Sequence, residues 1–110
     1  IDKWCNQRRH NSYFMSHATK TRENGQHAWH QLCIMAEDPD SMISNFNSAG
    51  IDARVHYPIP CNRHQVYSEH FQHELGLTNC DEIGHRLVAI PVNPSLSSED
   101  LERIRAVLHP

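Results

Sequence analysis

A helix with marked ends, followed at once by a strand, constrains the fold of this chain more than any other feature. Asp38 stands where an N-cap carboxylate accepts hydrogen bonds from free backbone N–H groups, and Pro39 occupies the first helical position. Gly50 is expected to end the helix, because glycine tolerates the left-handed conformation that closes a helix. The predicted buried face consists of apolar residues at helical spacing: Met42, Ile43 and Phe46.

The segment after this helix places two polar rings at the end of a strand. Residues Ile51–Val55 are predicted to form a short strand, and Pro58 and Pro60 exclude regular helix and central strand beyond it. His56 and Tyr57 lie between the strand and the prolines, with side chains that donate, accept and stack. Such groups on a stiff backbone at a strand end are typical of a ligand site.

Weaker signals predict the remaining elements. They comprise a helix over residues 1–17, a loop over 19–26, a strand over 29–36, short helices that begin at Asn62 and at Thr78 or Asn79, a strand over Leu87–Ile90, and a final helix that begins at Ser97 with Asp100 at the capping-box position. The run Leu32–Ala36 is continuously apolar, which favours burial on both faces of its strand or pairing in the centre of the sheet. We therefore expect an α+β fold with a small sheet of about three strands, mostly antiparallel, and helices packed on one face.

Length and charge narrow the class of protein. The chain has 110 residues, which predicts a single domain over residues 1–110. The net charge is −3 and basic residues do not cluster beyond Arg8-Arg9, so no nucleic-acid surface is expected. The longest apolar run, Leu32–Ala36, is too short to span a membrane, and the sequence shows no signal peptide.

The cysteine and histidine patterns indicate free thiols and surface histidines, not a metal site. The cysteines at positions 5, 33, 61 and 80 lack C-x-x-C spacing and are too sparse for a disulfide scaffold, so we expect free thiols in a reducing, cytoplasmic compartment. The histidines include two pairs spaced three apart, His27 with His30 and His70 with His73. Surface histidines are favoured over a metal site.

A set of short motifs follows in order along the chain. They are Trp4-Cys5-Asn6-Gln7-Arg8-Arg9, Trp29-His30-Gln31-Leu32, Ala49-Gly50-Ile51, His56-Tyr57-Pro58-Ile59-Pro60, Tyr67, Leu87-Val88-Ala89-Ile90-Pro91, Pro94-Ser95-Leu96 and the helix that begins at Ser97. In this order they resemble the C-terminal part of the DegT/StrS-type family of pyridoxal phosphate (PLP)-dependent nucleotide-sugar aminotransferases. Cys61-Asn62 replaces the frequent Leu-His of the family, and Val88-Ala89-Ile90 replaces Leu-Ser-Leu; both departures bear on substrate contacts more than on the fold.

The resemblance implies a larger enzyme in which another domain holds PLP on a lysine, and glutamate supplies an amino group to a nucleotide-linked keto sugar. Of the two lysines here, Lys3 opens the first helix and Lys20 lies in a polar loop, and neither has the apolar surroundings of a Schiff-base lysine. The chain is therefore predicted to bind no PLP and to be inactive alone. The resemblance makes it the C-terminal small domain of a homodimeric parent, with an N-terminal PLP-binding large domain as its partner.

Three residues are predicted to contact the nucleotide sugar in that parent: His56 and Tyr57, through their place in the family motif, and Arg54. The guanidinium of Arg54 is a bidentate donor for phosphate or carboxylate, and a solvated strand-face arginine is the alternative. Trp29 and His30 are expected to serve packing and strand entry. The pair Arg8-Arg9 either reaches the large domain or forms a solvated helix face.

Other hypotheses stay open at this point. The parent is a related sugar dehydratase in which the Schiff-base lysine is replaced, or the domain stands alone and binds a sugar nucleotide or an aminotransferase partner without PLP. A metal-binding protein that uses the histidines is a further alternative.

Overall fold

The computed structural model describes residues 1–15, 27–66 and 78–110. Its elements are α1 (Asp2–Met15), β1 (Leu32–Met35), α2 (Pro39–Ser48), β2 (Arg54–Val55), a 3₁₀ turn (Cys61–Arg63), α3 (Thr78–Gly84), β3 (Leu87–Ile90) and α4 (Ser98–Leu108). The three strands form one sheet in the order β1-β3-β2, and both pairings are antiparallel. The prediction of an α+β fold with a small, mostly antiparallel sheet is confirmed.

The core fills one side of this sheet. In the β1–β3 register Leu32 lies opposite Ile90 and Ile34 lies opposite Val88, and all four side chains are buried. Helix α2 adds Phe46 to the same cluster. Burial of these apolar side chains is the main favourable term in the folding free energy. Other members come from α1, from the segments beside the strands and from α4: Met15, Trp29, Ala36, Ile51, Ala53, Val92, Leu101 and Ile104.

The opposite face of the sheet is open, which corrects one expectation. The apolar run in β1 predicts burial on both faces or a place in the centre of the sheet. Instead β1 is an edge strand, Cys33 is half-buried and Met35 is 59% exposed. Alternate residues of a strand point to opposite faces, so only Leu32 and Ile34 reach the core. Partial burial raises the pKa of the Cys33 thiol, which favours its neutral form.

The strands are shorter than predicted because neighbouring backbone groups bond elsewhere. The Ile51 N–H donates to the carbonyl of Phe46 at 2.9 Å, so it closes the end of α2 instead of pairing with β3. The Ala53 N–H likewise donates to the Asn47 side chain at 3.4 Å. Only Arg54–Val55 remain for the ladder. At the other predicted strand, Trp29 has a φ of 51°, outside the extended region, and β1 begins at Leu32.

Helix α1 forms as predicted, but its buried face is more polar than its sequence indicates. Trp4 is 64% exposed, whereas Asn11 and Ser12 are fully buried. The Asn11 amide donates to the carbonyl of Asn93 at 2.8 Å, and the Ser12 hydroxyl donates to the carbonyl of Arg9 at 2.8 Å. Both hydrogen bonds satisfy buried polar groups, and that of Asn11 attaches α1 to the loop after β3.

Several other predicted features lie wholly or partly outside the residues that the structure describes. The loop over 19–26 with Lys20 lies outside them, as do His70, His73 and the part of the helix from Asn62 that carries Tyr67 and Phe71. Helix α3 ends at Gly84, whereas the sequence predicts a helix to about Arg86. All four cysteines are free, as expected. In the described part of the chain no helix is long and apolar enough to cross a membrane.

The capping box predicted at the start of α4 is confirmed. The Ser97 hydroxyl accepts from the Asp100 N–H at 3.1 Å, and the Asp100 carboxylate accepts from the Ser97 hydroxyl at 2.7 Å and the Ser97 N–H at 2.9 Å. The bond from the Ser97 hydroxyl, and then that from its N–H, lowers the pKa of Asp100. Two acceptor contacts therefore favour the ionised form of this side chain.

This lowered pKa predicts an acid-dependent loss of stability. A carboxyl whose pKa is lower in the folded chain contributes stability above its unfolded pKa, and this contribution is lost as the pH falls through the folded pKa. We expect Asp100→Asn to lower the urea midpoint at about pH 7, and this effect to shrink as the pH falls below about 3.9, the ordinary pKa of an aspartate. Glu102→Gln, the same charge change at an exposed position of α4, is the control. An Asp100→Asn effect that does not shrink in acid would contradict the assignment.

Candidate functional site

A cavity of about 510 Å³ lies at the C-terminal end of β3, next to β2. We call it the sheet-face cavity; its lining residues are Arg8, His30, Gln31, Asp52, Arg54, His56, Ala89, Ile90, Pro91, Val92 and Asn93. The register places Arg54 opposite Ala89 on β3, on the side away from the core. Four parts of the chain meet here: α1, the approach to β1, the segment around β2, and the end of β3 with the loop after it.

The alternation of side chains around β2 explains how the sequence builds one wall of this cavity. Ile51 and Ala53 are buried, whereas Asp52 and Arg54 are exposed and His56 is half-buried. A two-residue period of this kind sends one set of side chains to the core and the other to the open face. Two of the three predicted substrate contacts, Arg54 and His56, therefore line the same cavity.

Arg54 already has a partner in the cavity. Its Nε donates to Oδ1 of Asp52 at 2.7 Å, and both side chains are about two-thirds exposed, at 69% and 67%. The hydrogen bond, and then the charge of Asp52, raises the pKa of Arg54. An ion pair in this degree of contact with water contributes little to stability. Its main effect is to offset part of the positive charge that Arg54 offers to a ligand.

Tyr57, the third predicted contact, faces a second groove. The peptide bond from His56 to Tyr57 is cis. The Tyr57 side chain is 69% exposed, and its ring meets that of His56 edge to face with the ring centroids 5.7 Å apart. His56 lines both depressions and so lies between them. An exposed phenol beside an imidazole offers a stacking surface and a hydrogen-bonding group to a ligand.

The second groove, about 370 Å³, is more apolar than the first. We call it the prolyl groove; its lining residues are His56, Tyr57, Ile59, Pro60, Cys61, Asn79, Cys80, Ile83, Gly84 and Leu87. Gly84 and Pro60 meet across it, since a Cβ on Gly84 would lie 2.7 Å from Cγ of Pro60. The Arg63 side chain also pairs with Asp81 of α3. These contacts hold the proline-rich segment against α3.

The structure adds two residues that sequence reasoning assigned elsewhere. Trp29 packs in the core as expected, with its ring edge to face with Tyr13 at 6.5 Å. His30, in contrast, is exposed and lines the sheet-face cavity. Arg8 of α1 is half-buried and lines the same cavity. No local pattern could reveal this convergence, because Arg8 and His30 come from elements that meet Arg54 only in the folded chain.

Comparison with known proteins decides the family. Residues 7–109 match the sequence profile of the DegT/DnrJ/EryC1/StrS aminotransferase family. The chain belongs to this family. The resemblance drawn from the ordered motifs is thereby confirmed, and the match includes Arg8, Arg54 and the His56-Tyr57 pair.

Curated relatives in this family are much longer than the chain. One is the dTDP-3-amino-3,6-dideoxy-alpha-D-galactopyranose transaminase of Aneurinibacillus thermoaerophilus, 25% identical over 88 residues, which are 80% of this chain and 24% of the relative. Another is the UDP-N-acetyl-3-dehydro-alpha-D-glucosamine 3-aminotransferase of Acidithiobacillus ferrooxidans, 26% identical over 85 residues, which are 74% of this chain and 22% of the relative. The chain thus spans about a quarter of the relatives it matches.

Solved structures in the family share the fold. The sugar aminotransferase CalS13 of Micromonospora echinospora superimposes with a TM-score of 0.81 at 18% identity, over 97% of this chain and 30% of that one. The small sheet and its helices therefore occur as one part of a larger aminotransferase. At this identity the likeness establishes the fold alone.

PLP is implied by the DegT/DnrJ/EryC1/StrS family, but the described residues do not fit it. The only lysine among them is Lys3, which is exposed. It lines a groove between α1 and the loop after β3 together with Trp4, Gln7, Arg8, Pro94 and Ser95. Neither the sheet-face cavity nor the prolyl groove contains a lysine. Across residues 1–15, 27–66 and 78–110, no three His, Cys, Asp or Glu side chains are grouped to hold a metal ion.

Proposed function

We propose that the chain is the C-terminal domain of a PLP-dependent aminotransferase that acts on a nucleotide-linked keto sugar, with glutamate as the amino donor. In this proposal it shapes the substrate side of the cleft through Arg54, His56 and Tyr57 and performs no catalysis alone. The family membership, the nucleotide-sugar substrates in the relatives' names and the partial coverage of those relatives support it. The observation that carries it is the convergence of Arg54 and His56 on one open cavity, with Tyr57 beside it.

Each of the three side chains suits one part of a nucleotide sugar. The guanidinium of Arg54 is a fixed fork of donors that matches phosphate or carboxylate oxygens. The imidazole of His56 donates or accepts a hydrogen bond, according to its tautomer, at the border of the two grooves. The exposed ring of Tyr57 offers a face for stacking and a hydroxyl for a sugar oxygen. Together they bind and orient a polar ligand.

The remaining chemistry belongs to a partner domain in this proposal. PLP supplies the group that carries nitrogen from the amino donor to the keto sugar. An N-terminal large domain would hold PLP, since the only lysine in the described part of this chain is Lys3, which is exposed. The open sheet face and the prolyl groove expose large apolar side chains, Met35 at 59% and Ile59 at 55%. In this proposal these exposed apolar side chains are buried against the large domain or a second subunit of a homodimer.

The expected result is that the chain alone gives no amino sugar, and that product forms only when a PLP-binding large domain is present. The assay contains PLP, glutamate and a UDP- or dTDP-linked keto sugar, and product is detected by mass spectrometry. A large-domain preparation without this chain is the matched control. Turnover by the 110-residue chain alone, with PLP bound to one of its lysines, would overturn the proposal.

A further inference from the structure

We propose that the sheet-face cavity is a diphosphate subsite in which Arg8 of α1 is the principal cation. This inference rests on the proposed function, because it assigns a part of the nucleotide sugar to that cleft. It adds a residue from a different element to the predicted substrate contacts and gives the cavity a ligand of stated chemistry. Three observations carry it: the free guanidinium of Arg8, the way the fold holds it, and the charges around it.

Arg8 stands apart from the other arginines that the structure describes. It lines the cavity with no hydrogen bond or ion pair to its guanidinium within the described residues. Each of the others has a partner: Arg9 contacts Asn6, Arg54 contacts Asp52, Arg63 contacts Asp81, Arg86 contacts Ala36, Arg103 contacts Glu99 and Arg105 contacts the Phe14 ring. A half-buried guanidinium with all its donors unused is available for an oxyanion.

The fold fixes the position of Arg8 relative to the cavity. Asn11, one helical turn further along α1, is fully buried and donates to the carbonyl of Asn93 at 2.8 Å. Gln7 donates to the side chain of Asn11 at 3.1 Å. Asn93 itself lines the cavity, so α1 is attached directly to the cavity wall. Arg8 and Asn11 are three residues apart on α1 and therefore lie on the same face of the helix. Arg8 is thus next to the residue that attaches α1 to the cavity wall. Such preorganisation reduces the entropy lost on binding.

The charges of the cavity favour a diphosphate over a single carboxylate. Two arginines from different elements, Arg8 and Arg54, line the cavity, and Arg8 also borders the groove on α1. His30 and His56 add two imidazoles to the same lining. The one carboxylate in the lining, Asp52, is already engaged by Arg54. A diphosphate carries at least two negative charges and several acceptor oxygens, so it engages separated cations at once, which one carboxylate does not. The names of both curated relatives specify substrates linked to a nucleoside diphosphate, dTDP or UDP.

The test titrates the 110-residue chain with inorganic pyrophosphate at low ionic strength, by calorimetry and by amide chemical shifts. We expect Arg8→Gln to weaken pyrophosphate about tenfold, the range of one charge-assisted contact, and Arg8→Lys to weaken it less. Arg9→Gln makes the same charge change at the next residue, outside the cavity lining, and should stay within about twofold. Asp52→Asn should tighten binding severalfold, because it frees Arg54. Circular dichroism confirms that each variant is folded.

Three results would overturn the inference: equal effects of Arg8→Gln and Arg9→Gln, no pyrophosphate binding by the folded wild-type chain, or equally tight binding of succinate. If Arg8→Gln does not fold, the pyrophosphate affinity of Arg8→Lys is compared with that of Arg9→Gln instead. Failure of the proposed function is distinguishable. If His56→Ala weakens a UDP- or dTDP-sugar but Arg8 variants leave pyrophosphate unchanged, the subsite falls and the proposed function stands. If the Arg8 variants weaken pyrophosphate binding but His56→Ala leaves the affinity for the nucleotide sugar unchanged, the subsite stands and the proposed function falls.

Discussion

Replacing Phe46 with alanine is expected to lower the free energy of unfolding by about 3–5 kcal/mol, the largest single effect on stability that we predict. Phe46 is 1% exposed and belongs to the cluster that joins α2 to the core side of the sheet. Its removal leaves a cavity that close-packed neighbours fill only in part. Since domains have total stabilities of about 5–15 kcal/mol, this loss would bring the chain close to its unfolding midpoint.

The measurement is urea denaturation followed by circular dichroism, and Met35→Ala is the matched control. Met35 is also a large apolar residue of a regular element, but it lies on the open face of the sheet with 59% of its side chain exposed. We expect its replacement to change stability by about 0.5 kcal/mol or less. Comparable losses in the two variants would mean that the open face is as well packed as the core, which would contradict the one-sided sheet.

Replacing His56 with alanine is expected to weaken the binding of a nucleotide sugar by about tenfold, or about 1.4 kcal/mol. His56 is the one predicted contact that lines both the sheet-face cavity and the prolyl groove. A ligand that extends from one to the other passes this imidazole. Loss of a hydrogen bond to a charged or strongly polar ligand group has this magnitude.

Calorimetric titration with UDP-glucose and dTDP-glucose measures this effect, and His64→Ala is the control. His64 is exposed and lies in the same proline-rich region, but it lines neither depression. Its replacement should leave affinity within about twofold. If both histidine variants bind the sugars as the wild type does, His56 has no place in the substrate cleft.

The features that the sequence predicts well are set by neighbours along the chain. Asp38 caps α2 by accepting from the Ser41 N–H at 3.0 Å, and Gly50 has a φ of 74° at the end of that helix. The Ser97 capping box involves residues only three positions apart. Each of these signals depends on local geometry alone, so the residue type is sufficient to predict it.

Strand lengths and burial depend on contacts between distant segments, and there the predictions were less accurate. Whether Ile51 pairs with β3 or closes α2 depends on competition for one backbone N–H, which periodicity does not reveal. The exposure of Met35 depends on what covers the second face of the sheet. Apolar patterning indicates that a residue favours burial, but it does not identify the partner surface.

The candidate site also combines residues that the local sequence predicts with residues that only the fold brings together. Arg54, His56 and Tyr57 were predicted because they lie in or beside one short motif after the strand. The convergence of Arg8 and His30 on that motif is a property of the fold: α1 is attached by Asn11 to the loop after β3, which brings a residue far away in sequence to the cavity wall.

The most direct test is to map the amide chemical shifts of the ¹⁵N-labelled chain as UDP-glucose or dTDP-glucose is added to millimolar concentration. The nucleotide-sugar assignment predicts that the largest shifts occur at Arg54, His56 and Tyr57 and at Arg8, while the outer face of α4 around Glu102 stays unchanged. A well-dispersed spectrum that shows no shifts, or shifts confined to surfaces away from both depressions, would contradict it.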